Sequence, residues 1–152
     1  MHVIIDTREQ RPWSFDPGAV RARVGTLKTG DYALDGDDSF AIERKSLDDF
    51  LGTIATRWPV FCKEINRMAE WSAKVIIVEG DFCDCCFREA QGGAMIGPDH
   101  SHNQLTPQFV MKRIAQLSMR GVSVLFAHNA ELATGLATSV LRERWLELST
   151  NP

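Results

Sequence analysis

No stretch of this 152-residue chain approaches the ~20 consecutive apolar residues that a membrane-spanning helix needs, so no membrane partner is expected. The first residues, Met1-His2-Val3-Ile4-Ile5-Asp6, carry no basic segment and meet an acid after three apolar residues, which does not read as a secretory leader. Cysteine is scarce and crowded: Cys62, Cys83, Cys85 and Cys86. Without an exported context, such a set points to a reducing intracellular compartment, the cytoplasm, rather than to a disulfide framework. Internal repeats, low-complexity tracts and linkers are missing too, so one domain over residues 1–152 is expected, large enough to bury a core. An excess of positive charge is also lacking. The net charge is −3 and the pI about 5.8, whereas nucleic-acid binders usually display a basic patch. A local patch remains open, because the first thirty residues hold Arg8, Arg11, Arg21, Arg23 and Lys28 against Asp6, Glu9 and Asp16.

What is present alternates between strand and helix signals. Val3-Ile4-Ile5 reads as a buried strand ending at Asp6. Pro12 to Gly18 reads as loop. Val24–Leu27, Tyr32–Leu34 and Phe40–Arg44 read as three further strands, the last two flanking the turn Asp35-Gly36-Asp37-Asp38, in an antiparallel hairpin-like unit. Ser46 is a good N-cap with Asp49 three residues on, and Leu47, Phe50, Leu51 and Ile54 follow at helical spacing. Pro59 breaks or restarts that helix, and Phe61, Ile65, Met68 and Ala69 continue an apolar stripe. Val75–Val78 is a continuous apolar strand. Gly80 to Gln104 reads as a long loop, a length that usually marks function or mobility. Thr106 caps a helix with Pro107 at its first position and Val110, Ile114 and Leu117 inward. Val122–Ala127 is another buried strand, and Asn129 caps a last helix to about Leu148 with Leu132, Leu136, Val140 and Trp145 inward. The fold class expected is α/β, a three-layer domain with a central mixed β-sheet flanked by helices.

Acidic residues concentrate at Asp31, Asp35, Asp37, Asp38, Glu43, Asp48 and Asp49. Crowded carboxylates raise one another's pKa unless a cation compensates. Glu43 and Lys45 are two apart, so on a strand they share a face. With Asp31 turning out of the preceding apolar run, two carboxylates and an ammonium can meet a divalent metal and a phosphate. Hydrolysis of a phosphodiester needs an activated water and charge stabilisation, which divalent metals on oxygen ligands supply. Asp31 and Glu43 are the first-choice ligands, and Lys45 could orient the water or stabilise developing charge. Asp6 and Glu9 join the same pocket if the first and fourth strands are neighbours. Arg44 points the other way, free to pair with Asp49 or to reach a phosphate.

The ordered string Gly30-Asp31, Glu43-Arg44-Lys45 and Asp49 resembles the signature of the XPF family of structure-specific DNA nucleases. Asp6-Thr7-Arg8-Glu9 is similar to that family's first strand end, Arg57 with Phe61 and Glu64 to its next stretch, and Val78-Glu79-Gly80 to the following strand end. The resemblance spans Val3 to about Leu148. It implies a restriction-endonuclease-like fold and Mg2+- or Mn2+-dependent cleavage of branched or flapped DNA in repair, recombination or replication. The implied catalytic residues are Asp6, Glu9, Asp31, Glu43, Arg44, Lys45 and Asp49, with Asp31, Glu43 and Asp6 on the metal. Arg8, Arg11, Trp13 and Arg57 are the candidate DNA contacts. The Asp6 to Trp13 segment and the chain's size look most like small stand-alone phage and bacterial members. Many relatives append tandem helix-hairpin-helix motifs, and none is expected within this sequence. Relatives pair through their two C-terminal helices, so a homodimer through about residues 106–148 is expected, with Phe109, Met111, Met119, Trp145 and Leu146 as candidate surface. The rival from another class is a catalytically inactive nuclease-fold module that binds DNA or serves as a scaffold.

Cys83, Cys85, Cys86, His100 and His102 include zinc-type ligands, but their C-x-C-C…H-x-H spacing does not match the usual C-x2-4-C pairs. Free thiols in a mobile, metal-free loop are the preferred reading. Cys62 is read as core, His128 as structural, and Tyr32 as packing under the site.

Overall fold

The structure, a computed structural model, describes residues 1–100 and 103–150. Four strands lead: β1 (His2–Asp6), β2 (Arg21–Gly25), β3 (Tyr32–Leu34) and β4 (Phe40–Ser46). Helices α1 (Leu47–Ile54) and α2 (Trp58–Arg67) follow, then β5 (Ala73–Glu79). The next segment holds a short helix α3 (Phe82–Cys86) and two small hairpins, β6 (Arg88–Glu89) with β7 (Met95–Ile96) and β8 (Asp99–His100) with β9 (Asn103–Gln104). The chain closes with α4 (Pro107–Ser118), β10 (Val122–Ala127) and α5 (Ala130–Thr150).

Six strands form one mixed sheet in the order β10-β5-β4-β3-β1-β2. β3 pairs antiparallel with both β1 and β4, while β4–β5, β5–β10 and β1–β2 are parallel. β3 therefore runs alone against the other five. The ends of β1, β4 and β5 and the start of β3 meet at one edge, where open α/β sheets form their crevices. The expected antiparallel pairing of β3 with β4 around the Asp35–Asp38 turn is present, and the placement of the second strand is corrected. β2 starts at Arg21, runs parallel to β1 and lies on the sheet's rim, and its Val24 is 68% exposed. Exposed along both faces, Arg21 to Gly25 has no apolar alternation from which its limits could be read.

The register Glu43↔Ile76 and Lys45↔Val78 sets which face each β4 residue serves. One face packs Ile76 and Val78 under α1, α2 and α4, with Phe50, Ile54, Phe61, Ile65, Val110 and Leu117. The other packs Val3, Tyr32, Phe40, Ile42 and Ile77 under α5. Burial on both faces explains the unbroken apolar run of β5. The caps expected of α1 and α4 are present: Asp49 N donates to Ser46 Oγ at 3.1 Å and Phe109 N to Thr106 Oγ1 at 3.1 Å.

Two further expectations are corrected. α5 buries Ala133, Ala137, Leu141 and Arg144, while Leu132 and Trp145 are exposed. Leu136 and Val140 pack against the core as expected, but only partly buried; the fully buried line is Ala133, Ala137 and Leu141, because the small Ala133 and Ala137 let the helix approach the sheet. Arg144 is held by Asp37, with Nε 2.7 Å from Oδ2, and that pair carries no hydrophobic signal. The Gly80–Gln104 segment is not an irregular loop. Cys85 and Cys86 are buried in the apolar core, and Gly97 sits so close to Leu105 that a Cβ there would lie 1.7 Å from its carbonyl oxygen. Burial in apolar surroundings pushes the Cys85 thiol up to about 12. Among the described residues no three His, Cys, Asp or Glu side chains converge as a metal site; His102 lies outside them. Cys62 is only partly buried. No helix among the described residues is long and apolar enough to cross a membrane.

Candidate active site

Gly30 adopts a φ of +78°, and a Cβ there would lie 2.6 Å from the Ala41 Cβ. Only glycine accepts both conditions, and it turns the chain so that Asp31 stands at the head of β3. Asp31 is then tied on both sides. Asp6 N donates to its carbonyl at 2.8 Å and Asp31 N to the Ile42 carbonyl at 2.9 Å. Its carboxylate accepts from Arg44 N at 2.8 Å. Burial, then the charge of Glu43, raises the Asp31 pKa to about 7, partly opposed by the Arg44 N–H. Glu43 and Lys45 share a face as their spacing requires, with Lys45 Nζ 2.6 Å from Glu43 Oε1.

Asp6 is placed differently. It is 1% exposed, and its two oxygens accept from Arg8 N (2.9 Å), Arg8 Nε (2.6 Å), Arg8 Nη2 (3.2 Å) and Leu27 N (2.7 Å). The Arg8 guanidinium, with those backbone donors, lowers its pKa to about 2 despite burial. β1 and β4 are not neighbours, because β3 lies between them. The Asp6 oxygens hold the end of β1 to the Leu27 segment and to Arg8.

Arg44 lies on the opposite face of β4 and does not pair with Asp49. Its Nε and Nη2 bind the two Glu79 oxygens at 2.8 Å each, and Nη1 lies 3.4 Å from Glu9 Oε1. Such a forked pair is geometrically specific. Glu79 also accepts from Trp13 Nε1 at 2.7 Å, and Trp13 stacks on Tyr32 with ring centroids 4.5 Å apart. The Tyr32 hydroxyl accepts from Trp13 N at 2.9 Å, and burial raises its pKa. Trp13 is 5% exposed and its ring is committed to packing on Tyr32, so the expectation of Trp13 as a DNA contact is corrected. The role of Glu79 went unread in the sequence; its one signal is a charge closing an otherwise apolar strand.

The remaining expected residues sit around this centre. Arg8 and Arg11 are exposed beside it, and Arg57 donates to the Asp49 carbonyl at 2.8 Å. Asp49 Oδ2 accepts from Ser46 Oγ at 2.8 Å, and its Oδ1 lies 3.8 Å from Arg57 Nη2. His100 and Asp48 pair at 3.4 Å over α1, and exposed His128 pairs with Asp81 at 2.7 Å. Asp31 and Glu43 also line a pocket of about 310 Å3 that runs under α2. Two close carboxylates, one of them holding its proton unusually well, suit a hard cation. Mg2+ commonly takes one or two carboxylates and completes its shell with water and phosphate oxygens.

A family model described as the ERCC4 domain matches residues 5–139. The chain belongs to the ERCC4 domain family. This ERCC4 domain superposes on XPF from Aeropyrum pernix with a TM-score of 0.67 and 24% identity, covering 99% of this chain and 68% of that one. A second structure, of XPF from Aeropyrum pernix in complex with DNA, gives a TM-score of 0.65 and 24% identity, covering 96% of this chain and 65% of that one. No curated protein matches the sequence. The resemblance read from the motif and the three-layer α/β fold are both borne out.

Proposed function

We propose that this ERCC4 domain is a metal-dependent DNA endonuclease acting on branched or flapped DNA. The observation that carries this is the Asp31–Glu43 pair. It lies at the sheet edge beside Lys45, with the Asp31 pKa raised to about 7 by burial and by its neighbour. Asp31 and Glu43 would hold Mg2+ or Mn2+, which supplies an activated water and charge stabilisation at the phosphate when bound. Lys45, released from Glu43, donates to a non-bridging or leaving oxygen. Arg44, fixed by Glu79, holds Asp31 in place through its backbone N–H. In this reading the exposed Arg8, Arg11 and Arg57 meet neighbouring phosphates, and Asp49 fixes the start of α1 beside them. The relative solved in complex with DNA supports the substrate class. A homodimer through residues 106–148 is part of the same reading, and the exposure of Met111, Met119, Trp145 and Leu146 supports it.

The test uses labelled flap, fork, four-way junction and linear duplex DNA with Mg2+, Mn2+ or Ca2+. Cleavage of a branched substrate with Mg2+ or Mn2+, and little with Ca2+, is expected. Asp31→Asn, Glu43→Gln and Lys45→Ala should each lower the rate about 100-fold or more while the melting transition persists. Full activity in any of the three variants would sink the assignment. Binding of branched DNA without cleavage in any metal would favour the inactive scaffold.

A further inference from the structure

The pocket that begins at Asp31 and Glu43 extends under α2 into space the hydrolytic site does not use. Its inner wall is apolar, with Phe61, Ile65 and Met68 from α2 and Ile76 from β5. One charged group stands among them. Lys74 is 7% exposed, and its Nζ donates to the carbonyls of Met68 at 3.0 Å and Trp71 at 3.4 Å. An ammonium has three N–H groups. Among the described residues Nζ has these two carbonyl acceptors and no third, and no carboxylate pairs with it. Burying an ammonium is costly unless it is fully partnered, and the carbonyls beyond the end of α2 offset only part of that cost. Lys28, Glu64 and Arg67 stand at the pocket's rim.

Apolar walls, one aromatic side chain, one inner donor and a charged rim suit a flat, partly polar heteroaromatic ring. Rim cations suit the phosphates attached to it. We propose that this pocket takes one unstacked nucleobase of a single-stranded DNA arm, beside the phosphate held at Asp31 and Glu43, with an acceptor atom of the base on Lys74 Nζ. The ligand class rests on the nuclease reading above. Pulling a base from a paired stack costs a few kcal/mol and least where it is already unpaired. The pocket therefore makes an unpaired arm next to the cut a condition of tight binding.

The probe is a fluorescein-labelled forked duplex in which each arm nucleotide near the branch is replaced in turn by an abasic analogue. Binding is read by anisotropy in calcium, so that turnover is not needed. One position within about two nucleotides of the cut is expected to lose roughly tenfold in affinity, in the range seen when one base–aromatic contact is removed. In Lys74→Met, or in Met68→Trp, which fills the pocket, intact and abasic forks are expected to bind within about twofold of each other. Thermal melting shows which variants fold, and if neither does, the scan on the unaltered protein decides. A flat scan from a protein that cleaves would overturn the pocket alone. A folded variant that keeps the positional loss would also overturn it. A positional loss without cleavage in Mg2+ would overturn the nuclease reading alone, and no binding to any fork would overturn both.

Discussion

Asp31 and Asp6, a few ångströms apart along the same sheet edge, have opposite electrostatics. Asp31 has two backbone ties and one carboxylate hydrogen bond, and burial with Glu43 beside it raises its pKa from an ordinary value near 3.8 to about 7. Between those values the folded protein holds a proton the unfolded chain has released, so without metal this group lowers stability as pH rises. The melting temperature of Asp31→Asn, taken relative to the unaltered protein in chelator, is therefore expected to climb from pH 5 to pH 8. One kcal/mol of relief corresponds to roughly 2–4 °C in a chain of this size. Added Mg2+ is expected to raise the unaltered protein's melting temperature and leave Asp31→Asn unmoved. Asp6 works the other way. Its pKa is lowered to about 2 by Arg8 and backbone donors, so its contribution is complete above about 4 and is lost as pH falls towards 2. Asp6→Asn faces N–H donors with an amide and is expected to cost about 2–3 kcal/mol in urea unfolding. The folded fraction is expected to keep far more cleavage than Asp31→Asn does. Equal loss in both variants would restore Asp6 as a metal ligand.

At the scale of elements, β4 separates two tasks by its two-residue period. Glu43 and Lys45 face α1 and α2 and the pocket, while Arg44 faces Glu79, Trp13 and Tyr32. Trp13 and Glu79 thereby fix the strand that carries Glu43 and Lys45, which is why a tryptophan in a surface-like sequence context is buried. The turn into β3 is the tightest joint. In Gly30→Ala a left-handed φ and a 2.6 Å approach to Ala41 must both be relieved. About 1–3 kcal/mol of destabilisation is expected. Because Asp31 is the next residue, a drop in cleavage larger than the stability loss explains is also expected. Chemical denaturation and initial rates in Mg2+, compared for the same preparation, check this.

For the whole molecule, apolar side chains stand exposed on both of the last two helical segments: Met119 after α4 is 87% exposed, and on α5 Trp145 is 46% and Leu148 41% exposed. A two-fold dimer is the commonest way to cover such side chains. Sedimentation velocity at micromolar concentration is expected to show a dimer. A 17.0 kDa particle, with and without DNA, would rule it out. The sequence alone determined the local chemistry and much of the order of elements. Ser46 and Thr106 declared helix starts, the apolar run at Val75–Val78 declared a strand buried on both faces, and the spacing of Glu43 and Lys45 put them on one face. Each of these depends on residues within a turn or two of one another, so periodicity and capping suffice. Whatever depended on residues far apart was decided by the tertiary structure. β3 was inserted between β1 and β4, β2 was turned parallel at the rim, and Glu79 was brought to Arg44. The Asp6 oxygens were paired with Arg8 and Leu27, and α5 was rotated to seat Arg144 on Asp37. Those outcomes rest on strand order and on side-chain pairs up to 107 residues apart, and no local pattern encodes them.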